Sequence, residues 1–593
     1  MHLLRYIFLV VLPLASAKCK CTPLDDCWPS EPTWSEFNST IAGKLIRNEP
    51  IAKSCYQGMG HDGEKCQDIA LNWSDNAWLA EFPTGYSYPL IEACAPINAS
   101  LGFQHYPQCD LGNFPAYTVN ATSAQHVAAA IEFAKDYNIR LVIKNTGHDI
   151  AYRSQGYGSL SIWVKYINEG LHYQESYKPS DKSCHANYTG RAIRIGGGYV
   201  WDDLYKFAHD HGSIVVGGGD STVGTIGGYL QGGGHGPLSH EFGLGADNVL
   251  EWQAVLASGE TVTANACQNQ DLFAALRGGG GGTYGIVTSA TIKAYKDHPV
   301  LGHDLVIAAI DDSSALVNAT GDILSGYPEV VEEGFSGSAI LSRIAGPLAY
   351  THSFAKLLKS NSTSVVERAK GVMNQRIVEK LIGLNGTSLS VKSTFTQHPS
   401  FLSWYTATHD GTPGQNRPIM ASRFLDKASL QSSPKKLSSL VETLIAGQGA
   451  ETATYSATLF NLVAGGKVLE PQPLTAVNPA WRKTYVLAQQ IDFWPDNSGY
   501  QEIAQVKRDL TDKKLKALKE LTPGMGTYGN EADPWDPDWR NDWFGEDNYR
   551  FLLSVKQKYD PDNVFWCWRC VGNDAWAEVT GGALYGPLCE AGL

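Results

Sequence analysis

A chain of 593 residues exceeds what one hydrophobic core commonly serves, so two or more domains are expected. Hydrophobic residues at 43% and charged residues at 18% are ordinary for a globular protein. A net charge of −13 argues against nucleic acid as the natural partner, because a polyanion is bound by a basic surface.

Residues 1–17 read as a secretory signal. Arg5 gives a positive start, residues 6–14 form an apolar run too short to span a bilayer, and Ala15-Ser16-Ala17 is a small-residue cleavage site. The mature chain is expected to begin near Lys18 and to carry no membrane span. All 12 cysteines follow that site, six of them between Cys19 and Cys94, which points to disulfides whose pairing spacing does not disclose. Eight N-x-S/T sequons, at Asn38, Asn72, Asn98, Asn120, Asn187, Asn318, Asn361 and Asn385, point to glycosylation.

Residues 18–111 form a Cys-, Pro- and Trp-rich extension without sustained periodicity, read as a disulfide-stapled lobe packed on the main body. From Phe114 the pattern becomes regular α/β. Thr122 or Ser123 can cap a helix whose apolar positions Val127, Ala130, Ile131 and Ala134 follow helical spacing. Residues 140–144 (RLVIK) read as a short buried strand that ends in the turn Asn145-Thr146-Gly147-His148. A helix starting near Trp201 ends at His209-Asp210-His211. Residues 249–257 and 260–263 form a hairpin around Ser258-Gly259, and residues 283–295 a further strand. After Pro299 the glycine density falls, which marks a domain boundary. Residues 300 to about 510 read as a second α+β domain. Residues 500–521 are strongly helical, and residues 549–558 form a helix stopped by Asp560-Pro561.

Glycine clusters occur at 196–198, 217–236 and 278–285. Backbone N–H groups approach a phosphate closely only where side chains are absent, so the loop at 217–228, with its Ser221-Thr222 pair, can wrap a pyrophosphate. A Rossmann reading fits poorly, since neither G-x-G-x-x-G after the first strand nor an acidic residue at the expected distance is present. His209-Asp210-His211 reads as a helix end rather than a metal site. Cys567-Trp568-Arg569-Cys570 lacks the second pair that zinc needs and reads as a structural disulfide.

Lys144-Asn145-Thr146-Gly147-His148-Asp149 with Arg153-Ser154 resembles the R/K-x-x-G-H segment of the vanillyl-alcohol-oxidase-like flavoproteins. The resemblance continues through residues 217–247 and 276–288. It closes at Tyr528-Gly529-Asn530 and residues 556–565 (KQKYDPDNVF), which are similar to the berberine-bridge-enzyme C-terminal segment. It covers about residues 112–298 and 520–572. The start, with Cys27-Trp28-Pro29-Ser30-Glu31, resembles a fungal subgroup that includes isoamyl-alcohol-oxidase-like and chanoclavine-synthase-type proteins.

The resemblance implies an α+β fold: a PCMH-type FAD-binding domain of two α/β subdomains, an inserted α+β substrate domain and the Cys-rich extension. The divisions it implies are 18–111, 112–298, 299–519, 520–572 and a tail at 573–593. It implies FAD bonded through His148, with Gly147, Ser154, Thr222, Val223, Gly224, Gly227, Gly228, Gly285, Ile286, Val287 and Asn530 around it. Attachment is expected at one point only, because Asp220 stands where bicovalent relatives carry cysteine and Cys267 is too far along the chain. The candidates for catalytic base are Tyr528, Glu531, Tyr455 and Asp220, and the residues leave the choice open. The expected partners are a small-molecule substrate and molecular oxygen, in alcohol oxidation or in oxidative cyclisation or dehydrogenation. The contrasting reading is a secreted, disulfide-rich binding protein that has lost its flavin.

Overall fold

Ser123 accepts the amide hydrogen of His126 and starts the helix Ala124–Asp136, which buries Val127, Ala130, Ile131 and Ala134, the four positions its spacing predicts. In the computed structural model that shows this, the residues described are 18–91, 93–97, 109–181, 184, 188–310, 312–343, 348–360, 362–409, 418–446, 456–494, 498–580 and 585–591. The expected signal segment, the candidate Tyr455 and the sequons at Asn98, Asn187 and Asn361 lie outside them.

The helix packs on a four-stranded sheet in the order Leu45–Arg47, Tyr117–Asn120, Leu160–Trp163, Leu141–Lys144, whose last three strands run parallel. The first strand comes from the Cys-rich extension and pairs antiparallel with Tyr117–Asn120. The helix Glu31–Thr40 adds Trp34 and Phe37, which stack on Tyr117 and Phe133 with ring centroids 4.1 Å apart in each pair. The extension is therefore knitted into the body instead of only resting on it. A disulfide between Cys19 and Cys589 ties the two ends of the chain together, and Cys21–Cys27, Cys55–Cys66, Cys94–Cys109, Cys184–Cys267 and Cys567–Cys570 account for the remaining cysteines.

A five-stranded antiparallel sheet follows, ordered Leu171–Gln174, Ala192–Gly196, Ile286–Lys293, Val249–Val255, Thr261–Asn265. The last two strands are the expected hairpin. The core beside this sheet holds Trp201 and Trp252 together with Trp539, Trp543 and Leu552, so a segment nearly 250 positions later in the chain closes the same core. There the helix Glu546–Tyr559 presents Lys556, whose ammonium donates to Asp560 Oδ2 (2.5 Å) and to the carbonyls of Thr283 (3.0 Å) and Phe565 (2.6 Å). Both charged side chains are almost wholly buried.

Residues 300–493 supply a seven-stranded antiparallel sheet in the order Leu389–His398, Val300–Ala309, Ala349–Leu357, Phe335–Ser342, Ser456–Leu462, Thr484–Phe493, Pro418–Asp426. The helices Ser313–Glu332 and Pro434–Ile445 cover one face. Strand alternation puts Ala339, Phe460, Leu462 and Ala488 under the helices, and Ser338, Asn461 and Gln489 on the other face. The covered face also holds a polar chain: Ser393 Oγ, His303, His352, Tyr350 and Tyr327 follow one another at 2.6–2.9 Å.

Two outcomes are expected. Asp560→Ala leaves the Lys556 ammonium buried without its anion and should destabilise the fold by about 3–5 kcal/mol, read from denaturant unfolding; an unchanged midpoint contradicts this. Burial pushes His303 down to about 4, so the unfolded chain binds more protons than the folded one below about 6.5. The stabilisation is then complete above about pH 6.5 and is lost as pH falls toward 4. The melting temperature should fall over that window and fall less in His303→Gln; equal slopes would show that this network does not titrate.

Candidate functional site

The strand Leu141–Lys144 ends on a buried lysine amine, whose charged form burial disfavours. Lys144 Nζ donates to the Phe82 carbonyl (2.8 Å) and lies between the rings of Tyr86 and Trp163, at 5.2 and 4.7 Å from their centroids. Trp163 Nε1 donates to the Asn145 carbonyl, and Ser87 N–H to the Gly147 carbonyl. Gly147 sits at φ +102°, and a Cβ there would lie 2.7 Å from the Gly85 carbonyl oxygen, so only glycine fits. The turn that presents His148 is thus clamped by residues 82–88 of the extension. Tyr88 of that segment meets the His148 ring edge-on at 6.0 Å.

His148 Nε2 lies 2.7 Å from Thr222 Oγ1. The Asp220 carboxylate accepts both the Thr222 hydroxyl (2.7 Å) and its amide (2.9 Å). With its proton given to Asp220, Thr222 Oγ1 accepts from His148 Nε2–H, which leaves the lone pair of His148 on Nδ1. Burial pushes the imidazole below its ordinary range, against the opposing pull of Asp220, so the ring is neutral.

Next to this ring is a cavity of about 410 Å³. Gly147, His148 and Ser154 line it from the turn, and Asp220, Val223, Gly224, Gly227 and Gly228 from the glycine loop. Gly285, Ile286 and Val287 line it from the sheet, and Tyr528, Asn530 and Glu531 from the C-terminal segment. Thr222 stands behind the wall, engaged by His148 and Asp220. The Ser154 hydroxyl is committed to Asp149 at 2.9 Å. Asn530 donates to the Gly228 carbonyl and accepts from Arg153, both at 2.7 Å, which locks the C-terminal segment to the glycine loop.

Five residues without an assigned role in the sequence reading complete the site: Tyr88, His235, His409, Asn461 and Gln489. His235 stands in the glycine cluster at 217–236, whose pattern could have singled it out; the two amides lie in ordinary strands and carry no local signal. His235 Nε2 donates to Glu531 Oε2 (2.9 Å), and Gln489 Nε2 donates to the same oxygen. Glu531 Oε1 has no hydrogen bond among the described residues. Burial, then Glu531, raises the Tyr528 hydroxyl well above its ordinary range, and that hydroxyl accepts from Asn530. His409, beside Gly219, is pushed down to about 4 by burial.

Residues 115–265 match a family described as FAD binding domain, and residues 527–569 one described as berberine and berberine like. An FAD-linked oxidoreductase of Gibberella fujikuroi is 36% identical, over 98% of this chain and 99% of its own length. A bifunctional decalin synthase of Penicillium decumbens is 32% identical, over 98% and 97%. The crystal structure of a VAO-type flavoprotein from Myceliophthora thermophila C1 superposes with a TM-score of 0.90 at 35% identity, over 97% of this chain and 100% of its own.

The cavity fits that dinucleotide. Asn145 Oδ1 and Gln231 Oε1 are buried acceptors on its wall with no partner among the described residues, and the flavin imide, ribityl hydroxyls and adenine amine are donors. A Cβ at Gly228 would meet nothing closer than Asn530 Nδ2 at 3.9 Å, so a side chain there enters the cavity without harming the fold. Gly228→Leu should yield folded protein whose visible flavin absorbance per protein falls at least tenfold. Normal loading would show that this cavity does not take the cofactor.

Proposed function

The chain belongs to the FAD-linked oxidoreductases that carry a berberine-type C-terminal segment, with FAD as cofactor, and on that footing we propose that it is a secreted oxidase of small organic substrates. The observation that carries the proposal is the meeting, in one cavity, of a histidine with a free Nδ1 lone pair and a carboxylate with one uncommitted oxygen. Bound FAD supplies the two-electron chemistry, taking hydride from substrate and passing electrons to dioxygen with release of hydrogen peroxide.

The residues divide the remaining work. His148 holds the cofactor through Nδ1, its tautomer set by Thr222 and Asp220. Attachment is at one point, because Asp220 offers no thiol and Cys267 is closed in a disulfide with Cys184. Glu531 is the base: Oε2 is fixed by His235 and Gln489, and Oε1 takes the substrate proton. Tyr528, held protonated, positions Asn530 and shields His235. Residues 112–298 and 520–572 form the flavin-binding body, supported by their shared tryptophan core, and residues 299–519 form the substrate domain. Secretion is supported by the leader pattern and six disulfides. Asn318 and Asn385 are exposed and suited to glycans. A biosynthetic role in secondary metabolism is supported by relatives such as the decalin synthase.

Glu531→Gln should load flavin normally, yet its anaerobic bleaching by a panel of primary and secondary alcohols should slow by about 10²–10⁴-fold, the usual contribution of a positioned base. Bleaching at the parent rate would remove Glu531 from the mechanism. Failure of every alcohol to bleach the parent enzyme would count against alcohol oxidation.

A further inference from the structure

The direction of one hydrogen-bond chain on the substrate side is fixed from end to end. An ionised Glu531 only accepts, so Gln489 must turn its Nε2 toward it. Gln489 Oε1 then faces Asn461 and accepts from Asn461 Nδ2 at 2.9 Å. Asn461 has no freedom left: its NH₂ is used toward Gln489, and its Oδ1 must point elsewhere. That oxygen is buried and has no partner among the described residues. Asn461 is itself 4% exposed and lines the cavity. A buried acceptor in that state is costly unless a ligand's donor meets it.

The surrounding wall narrows the ligand further. The side chains that the seven-stranded sheet presents to the cavity, among the described residues, are Ser338, Met420, Leu459, Asn461, Gln489 and Ile491, none of them charged. Such a wall offers no cation to a carboxylate or phosphate, and Glu531, the carboxylate beside it, is taken by the reacting hydroxyl, so the wall favours an apolar body with a few fixed, uncharged polar groups.

We infer that the substrate is a neutral, largely apolar alcohol bearing a second O–H or N–H donor, and that Asn461 selects it by accepting that donor. This rests on the oxidase reading, in which the reacting hydroxyl gives its proton to Glu531. Asn461 then sets specificity from one glutamine amide away from the base, and the ionised state of Glu531 fixes which atom Asn461 offers. A substrate whose second group is an ether or a carbonyl presents only acceptors to Oδ1 and leaves it unpaired.

The test uses the flavin-loaded full chain and paired probes: para-xylylene glycol against its monomethyl ether, and cyclohexanediol against methoxycyclohexanol. Each pair shares the reacting hydroxyl and differs in the second donor. The diol should exceed its ether in kcat/KM for flavin bleaching by about tenfold or more, and the ratio should fall to about one in Asn461→Leu. Asn461→Val, β-branched and suited to a strand, reads the same ratio if the leucine variant is not secreted. Equal use of diol and ether by the parent enzyme overturns the proposal, as does a ratio that survives the substitution. No bleaching by any of the four probes overturns the alcohol-oxidase reading beneath it.

Discussion

A carboxylate accepts hydrogen bonds and cannot donate them, and at two places in this fold that constraint sets the polarity of a whole chain of side chains. At Asp220 it turns the Thr222 hydroxyl toward the acid, makes Thr222 Oγ1 an acceptor, and leaves the His148 lone pair on Nδ1. At Glu531 it turns the Gln489 amide, and through it Asn461, so that an oxygen is left over on the substrate side. In the proposed reading one carboxylate sets the chemistry of the histidine that would face the cofactor, the other the chemistry offered to substrate. Both work through uncharged relays, which hold their geometry in a buried setting where a second charge would have to be desolvated.

The fold exists to bring these relays together. His148 and Asp220 come from the body built around the first two sheets, Glu531 from the C-terminal segment, and Gln489 with Asn461 from the seven-stranded sheet. Asn530 is the joint between them: it binds the Gly228 carbonyl, Arg153 and Tyr528, and so fixes its neighbour Glu531 against the glycine loop. The extension contributes the clamp on the His148 turn through a buried lysine held by one carbonyl and two aromatic faces. The cavity is thereby stapled to a disulfide-bearing segment.

Local signals carried the cofactor side well. Ser123 caps its helix, the Ser258-Gly259 turn closes its hairpin, and the His148 turn follows a buried strand because glycine is needed where Gly85 crowds it. The motif resemblance reaches Tyr528 and Asn530 and leaves Glu531 as one of four candidate bases; only the structure distinguishes the protonated phenol from the held carboxylate. The substrate side was not legible, for a physical reason. Asn461 lies opposite Ser338 on one strand and Leu487 on another, and Gln489 opposite Leu459, so their meeting, 28 positions apart in the chain, is a matter of strand register that no local pattern shows. The strand Thr484–Phe493 is buried along most of both faces, which erases the alternation by which a half-exposed strand announces itself. Tyr88 lay in a segment with no periodicity at all.

The most direct measurement of the central claim is an atomic-resolution crystal structure of the flavin-loaded protein. The expected result is continuous density from His148 Nδ1 to the cofactor, with Thr222 still bonded to Nε2 and Glu531 still tied through Oε2 alone. Attachment through Nε2 or through another residue would contradict the tautomer that Asp220 imposes, and a Glu531 turned away from Gln489 and His235 would contradict the relay on which the substrate side depends.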